Sequence, residues 1–237
     1  AGGGFALFDM PGIPASPIVP AACLYDLANG VDKNWGRTPP YRELGFSALE
    51  DARQGGPVLI GRHGAGYGAS AGTLPGAVGS ASWRGEDGVT VAAFVAVNCF
   101  GSVTMPGQDD VYWAWPFEVG DEFGGRRPDV SRLADLEDWG AAKLNPGVRT
   151  QTTLAVVATD AALSRDETRR MTVMAQDGLA RAIRPVHAPV DGDVVFGLSS
   201  GAREIEEPRA IALTRLGNLA ADCLTRSIAR AVHAARP

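Results

Sequence analysis

Lysine is nearly missing from this chain: Lys33 and Lys143 are the only two in 237 residues, beside twenty arginines. The arginines are interspersed with acidic residues under a net charge of −5, so no basic face forms and a nucleic-acid partner is excluded. Cysteine is scarce as well. Cys23, Cys99 and Cys223 are odd in number and far apart, which gives neither a disulfide framework nor a zinc motif. They fit a reducing compartment in which each is a small buried hydrophobe. Long hydrophobic runs are also absent. The longest, Val89–Val97, is too short to cross a bilayer, and no basic n-region opens the chain, so a cytoplasmic protein with no membrane contact is expected.

What is present is an ordinary globular composition, 45% hydrophobic and 21% charged, with enough chain for one domain, 1–237, and a sizeable core. The run Leu154 to Asp160 is apolar and too short for a core helix, so it predicts a strand covered on both faces. Ser164-Arg-Asp-Glu167 then spells a capping box, and the chain turns helical. Thr152 and Thr153 stand where that strand begins, a place open to a nucleophile. Val89 to Asn98 reads as a second strand and Asp193 to Ser200 as a third. Tyr41 to Gln54 and Pro208 to His233 carry apolar stripes at helical spacing. Ser16 to Asp26 reads as an extended segment punctuated by prolines. Between Ser102 and Thr150 turn residues, acidic patches and the aromatics Tyr112 to Phe117 predict a linker. The alternation of strands and helices implies a layered α/β or α+β domain.

Two polar constellations stand out. Gly61 to Gly72 is glycine-rich, but neither GxGxxG nor GxxxxGK[ST] fits it. It is either a flexible turn or a loop whose bare glycines carry amide donors past a pocket. His187, Asp191 and Asp193 lie within seven positions. A metal site there lacks support from His63 and His233, which stand in unrelated contexts. The carboxylates read either as a plain turn or as polar partners of a nucleophile.

The blocks Thr152 to Ala161, Met174 to His187, Asp191 to Asp193 and Pro17 to Ala22 resemble, in the same order, the L-aminopeptidase/D-esterase family, which includes β-peptidyl aminopeptidases and nylon-oligomer hydrolases. The resemblance implies a four-layer αββα sandwich like that of the N-terminal-nucleophile hydrolases. It also implies a precursor that cuts itself at Gln151-Thr152, leaving residues 1–151, with linker 102–151, and residues 152–237. Thr152 would attack the preceding carbonyl, and the freed α-amine, with a pKa of roughly 8, would then serve as its base. Asn98 matches the family's amide near the nucleophile, where a single oxyanion donor is worth roughly 3 kcal/mol. Asp191 and Asp193 match an acidic pair that orients the hydroxyl without titrating. Gly66, Tyr67 and Thr73 are weaker candidates for substrate contact.

The same resemblance implies hydrolysis of small peptides, β-peptides, amino-acid amides or oligoamides, with no metal or organic cofactor, in a homo-oligomer, a tetramer in the family. An acyl transferase or cyclase using the same acyl-enzyme, and a non-processing homologue that binds a ligand, are the alternatives. The sequence departs from the family at three places. Thr73 stands where relatives carry a lysine, and Lys33 and Lys143 lie in turn-rich segments that make them poor substitutes. Gln151 replaces the usual Asn or Gly. Relatives carry further residues upstream, and a helix that is not evident between Phe8 and Pro17 here, so one sheet is expected to expose edges; either this chain is a piece of a longer protein or another chain covers them.

Overall fold

The computed structural model describes residues 12, 19–29, 32–132, 137–143, 151–205 and 208–236; the stretch from Phe8 to Pro17 lies almost wholly outside them. In chain order the elements are α1 (Tyr41–Gln54), β1 (Ser70–Ala71), β2 (Leu74–Pro75), β3 (Ala77–Arg84), β4 (Thr90–Val97), β5 (Thr104–Met105) and β6 (Gln108–Tyr112). They continue with β7 (Leu154–Ala161), α2 (Arg165–Ala175), α3 (Asp177–Ala182), β8 (Val194–Arg203) and α4 (Arg209–Ala234). The main sheet has the order β3-β4-β7-β8, antiparallel at its first two pairings and parallel between β7 and β8. A parallel pair requires a crossover, and the α2–α3 segment supplies it. The fold class is α+β, as expected.

Period-2 alternation sorts the strand residues onto two faces. Gly79, Val95, Ala155 and Val195 share one row, and Ala81, Ala93, Val157 and Gly197 the next, all facing the helices. The two glycines are there because the helices come close. A Cβ on Gly79 would lie 2.1 Å from the Ser227 carbonyl oxygen of α4, and one on Gly197 would lie inside the Thr172 side chain of α2. The other face carries Phe94 and Val156 in one row and Leu198 in the next, all substantially exposed. One helical layer covers this four-stranded sheet, and the described residues also hold two two-stranded sheets, β1–β2 and β5–β6. In the four-layer arrangement that the resemblance implies, the apolar face is one that a second sheet would cover.

The core lies between the sheet and α2, α3 and α4, with Met171, Leu179, Leu224, Ile228 and Val232 removed from solvent. The capping box forms: the Glu167 N–H donates to Ser164 Oγ and the Ser164 N–H to the Glu167 carboxylate. Arg209, in the first turn of α4, also grips Glu167 and, ahead of the cap contacts, holds its carboxyl down at about 2. One side chain therefore ties the starts of both helices together.

Several expectations change. The third strand, β8, is an edge strand largely open to solvent, because its apolar run ends at Leu198 and continues in Ser and Gly. Helix α1 forms at the expected residues but buries none of them. The supposed linker contains the β5–β6 hairpin, and its aromatics are structural: Tyr112 is buried edge-on between Phe123 and His233. Strand β3 escaped detection because Ala77-Val-Gly-Ser-Ala-Ser82 is too rich in small residues to look apolar. Cys99 and Cys223 are buried, whereas Cys23 is exposed.

Replacing Gly79 with alanine puts a methyl group into the α4 backbone, and overpacking of this kind costs about 1–3 kcal/mol or more. The thermal midpoint of Gly79→Ala is expected to fall by several degrees, while alanine at exposed Gly45, inside α1 with open space around it, does not lower the midpoint.

Candidate active site

The last residues of β4 and the first of β3, β7 and β8 meet at one edge of the sheet, since Ala77 pairs with Val97, Ala96 with Leu154, and Leu154 with Val194. Every sequence-predicted catalytic residue projects from the loops at this edge. Asn98 follows β4, Gln151 and Thr152 precede β7, and Asp191 and Asp193 precede β8. The pairing of β7 with β8 extends outward through a parallel bridge between Gln151 and Asp191. Its rungs are Gln151 N–H to Val190 O at 2.9 Å, Gly192 N–H to Gln151 O at 2.7 Å and Val194 N–H to Thr153 O at 3.0 Å.

The Gln151 carbonyl is thereby fixed, and Thr152 is fixed beside it. Thr152 Oγ1 donates to Gln151 O at 2.5 Å, and the Thr152 N–H donates to the Asn98 carbonyl at 3.0 Å. A Cβ added to Gly192 would stand 2.9 Å from Thr152 Oγ1, so glycine there lets the backbone donor approach both the hydroxyl and the carbonyl. Gln151, Thr152 and Thr153 are all buried.

Three expected roles change in this geometry. The Asn98 side chain is committed elsewhere: its amide donates to Tyr25 O at 2.9 Å and accepts from the Ser70 N–H at 3.0 Å, which anchors the N-terminal segment and the glycine-rich loop. The donor that meets the Gln151 carbonyl is the Gly192 N–H, which no side-chain pattern in the sequence could reveal. The two carboxylates do not hold the Thr152 hydroxyl either. Asp193 Oδ1 accepts from the Thr153 N–H at 2.9 Å and its Oδ2 meets His187 Nδ1 at 2.9 Å. Asp191 Oδ1 accepts from the Phe100 N–H at 3.2 Å, and its Oδ2 is buried with no partner among the described residues. The Thr153 hydroxyl is likewise buried and unpartnered among them.

Burial, reinforced by the neighbouring Asp193 charge, pushes the Asp191 carboxyl up to about 6, against the pull of the Phe100 N–H and the Lys143 ammonium. Its charge therefore changes near pH 6, a property that the expected role of orienting a hydroxyl does not call on. Cys99, next to Asn98, is pushed up to about 12 by burial and stays a thiol. It is packing rather than a competing nucleophile.

The third change concerns Lys143. Its ammonium group donates to Ser70 O at 2.9 Å and to Gln151 Oε1, so it reaches the site after all. Of the weaker candidates, Gly66 is packed against the start of β3, where a Cβ would strike Val78 N at 2.4 Å. Tyr67 is exposed under the Arg62 guanidinium, and the Thr73 N–H donates to Ala141 O at 2.7 Å. Among the described residues none of the three is hydrogen-bonded to Gln151, Thr152 or the aspartates. The same residues contain no His, Cys, Asp and Glu cluster that could hold a metal, and no helix long and apolar enough to cross a membrane.

The profile of peptidase family S58 matches residues 12–237. The chain is 41% identical over 232 residues to an uncharacterized aminopeptidase of Mycobacterium leprae, covering 92% of this chain and 62% of that protein. It is 38% identical over 230 residues to another of Mycobacterium tuberculosis, covering 93% and 64%. It thus spans less than two thirds of these relatives. Among solved structures, the PH0078 protein of Pyrococcus horikoshii superposes with a TM-score of 0.53 at 23% identity, over 79% of this chain and 48% of that one. The L-aminopeptidase D-Ala-esterase/amidase of Ochrobactrum anthropi gives 0.49 at 22%, over 76% and 46%.

Because the folded state raises the Asp191 pKa above its ordinary value of 3.8 to about 6, the native protein binds more protons than the unfolded chain between those values. Stability is lost as pH rises through that window and stays lost above it. Asp191→Asn removes the effect. Its advantage in thermal midpoint over the parent is expected to grow between pH 4 and 6 and to level off above, which calorimetry across that range would read; a constant gap would contradict it.

Proposed function

The chain belongs to peptidase family S58, and on that footing we propose that it is a self-processing amide and ester hydrolase with Thr152 as its nucleophile. The carrying observation is the Gln151 carbonyl, held between Thr152 Oγ1 at 2.5 Å and the Gly192 N–H at 2.7 Å inside a buried site. Attack of Oγ1 on the Gln151 carbonyl carbon places negative charge on an oxygen that already has a backbone donor aimed at it. The C–N bond then breaks, the Thr152 nitrogen takes up a proton, and an ester joins Gln151 to the Thr152 side chain. Water hydrolyses the ester, leaving a Gln151 carboxylate and a free Thr152 amine.

That amine is then the base for its own hydroxyl. In turnover Oγ1 attacks a substrate carbonyl, the leaving amine or alcohol departs with the proton, and water releases the acyl group. The Gly192 N–H serves the substrate's oxyanion as it served Gln151. Asp193 holds the Thr153 N–H and with it the start of β7. Asp191, ionised above about pH 6 and bridged to Gln151 through the backbone, has in Oδ2 an oxygen without a partner among the described residues, which we assign to receiving a proton or a substrate ammonium group. Small peptides, β-peptides, amino-acid amides and oligoamides are the proposed substrates, in keeping with the aminopeptidase names of the relatives.

Thr152→Ala is expected to abolish hydrolysis of amino-acid anilides, with kcat/KM down by about a thousandfold or more, while Thr152→Ser retains a measurable rate. Equal rates in Thr152→Ala and parent would overturn the assignment. Added amines that convert product into new amides at the expense of free acid would instead mark an acyl transferase using the same residue.

A further inference from the structure

We propose that Lys143 is the positioning residue for self-cleavage: seated on the Ser70 carbonyl and the Gln151 side chain, its ammonium group locks the scissile residue against Thr152 and Gly192. The inference rests on the reading that Thr152 cuts the Gln151–Thr152 bond. It assigns to this chain's own Lys143–Gln151 pair a task that neither residue would have alone.

The lysine backbone is pinned before its side chain reaches the site. The Lys143 N–H donates to Phe100 O at 3.0 Å, and Ala141 O receives the Thr73 N–H at 2.7 Å. Trp139, earlier in the same segment, packs edge-on against Phe100 at 6.2 Å between ring centroids. Gly72 makes this crossing possible: it adopts φ +57, and a Cβ on it would stand 2.1 Å from Ala141 O. The segment holding Lys143 therefore lies directly on the Gly72–Thr73 turn, and the ammonium group reaches Ser70 and Gln151 from there. Thr73 supplies no charge there, and Lys143 does.

The partner residue fits this arrangement. Gln151 is 3% exposed, so its side-chain oxygen needs a donor, and Lys143 provides a charged one. A shorter side chain at position 151 would leave the ammonium group without that acceptor. With Gln151 held by its side chain and by the Val190 and Gly192 rungs, its carbonyl cannot rotate away from Thr152. The positive charge also sits close enough to Asp191 to oppose the effect of burial on it. It thus compensates a site that otherwise gathers two carboxylates.

The test follows the full chain by denaturing mass spectrometry from synthesis onward, comparing the parent with Lys143→Met and Lys143→Arg. Methionine keeps the unbranched stem and removes the ammonium group, and is expected to slow cleavage about tenfold or more. Arginine keeps the charge and is expected to stay within about threefold of the parent. In the non-cleaving Thr152→Ala background, Lys143→Met should lower the thermal midpoint by only a few degrees, the cost of one buried acceptor losing its donor, and leave the chain folded at the temperature of the cleavage assay, which separates positioning from folding. Cleavage of Lys143→Met at the parent rate would overturn the proposal, as would equal slowing by Met and Arg in chains no longer folded at that temperature. A parent that never cleaves would instead sink the self-processing reading, and this inference with it.

Discussion

The backbone ladder between the start of β7 and the start of β8 is the constraint on which the site depends. Two parallel strands must share a register, and here the shared register runs past the regular sheet to Gln151 and Asp191. That extension sets a peptide carbonyl against a backbone N–H and beside a hydroxyl, and the Lys143–Gln151 contact adds to the hold of the main chain. The helices keep the two strands in place. Close approach of α2 and α4 at bare glycines, with the Glu167–Arg209 pair joining their starts, makes the sheet a rigid platform. The groups of the candidate site are then delivered by loops whose ends cannot move far.

Much of this was legible in the sequence. The strand after Thr152, the capping box at Ser164, the strand before Asn98 and the long closing helix all carry strong periodic or capping signals, and all form within a residue or two of their expected ends. Strand β3 was invisible because alternation cannot be read from alanine, glycine and serine. The hairpin between Thr104 and Tyr112 was hidden by the polar run Gln108-Asp109-Asp110, whose exposed members face solvent. The stripe on α1 shows the converse: helical spacing of apolar residues marks the helix without saying what covers it, and none of its residues is buried.

The site was legible as a set of residues and not as a set of roles. Thr152, Asn98, Asp191 and Asp193 converge as expected, because each flanks a strand ending at the same sheet edge. Their hydrogen bonds follow the backbone, however, and a sequence motif does not specify which N–H meets which oxygen. Hence Asn98 serves as an anchor for Tyr25 and Ser70, and Gly192 is the donor at the carbonyl. Lys143 shows the limit most plainly. Its turn-rich setting suggested distance from the chemistry, yet a glycine with positive φ carries its segment over the loop and into contact with Gln151.

The central claim is that the Gln151 carbonyl is the electrophile attacked by Thr152, and identification of the chain's new N-terminus tests it most directly. The account predicts a fragment of purified protein that begins with a free Thr152-Thr153-Leu154, and a companion that ends in a Gln151 carboxylate. A chain that remains whole under conditions where it is folded, or a break at any other bond, would contradict it.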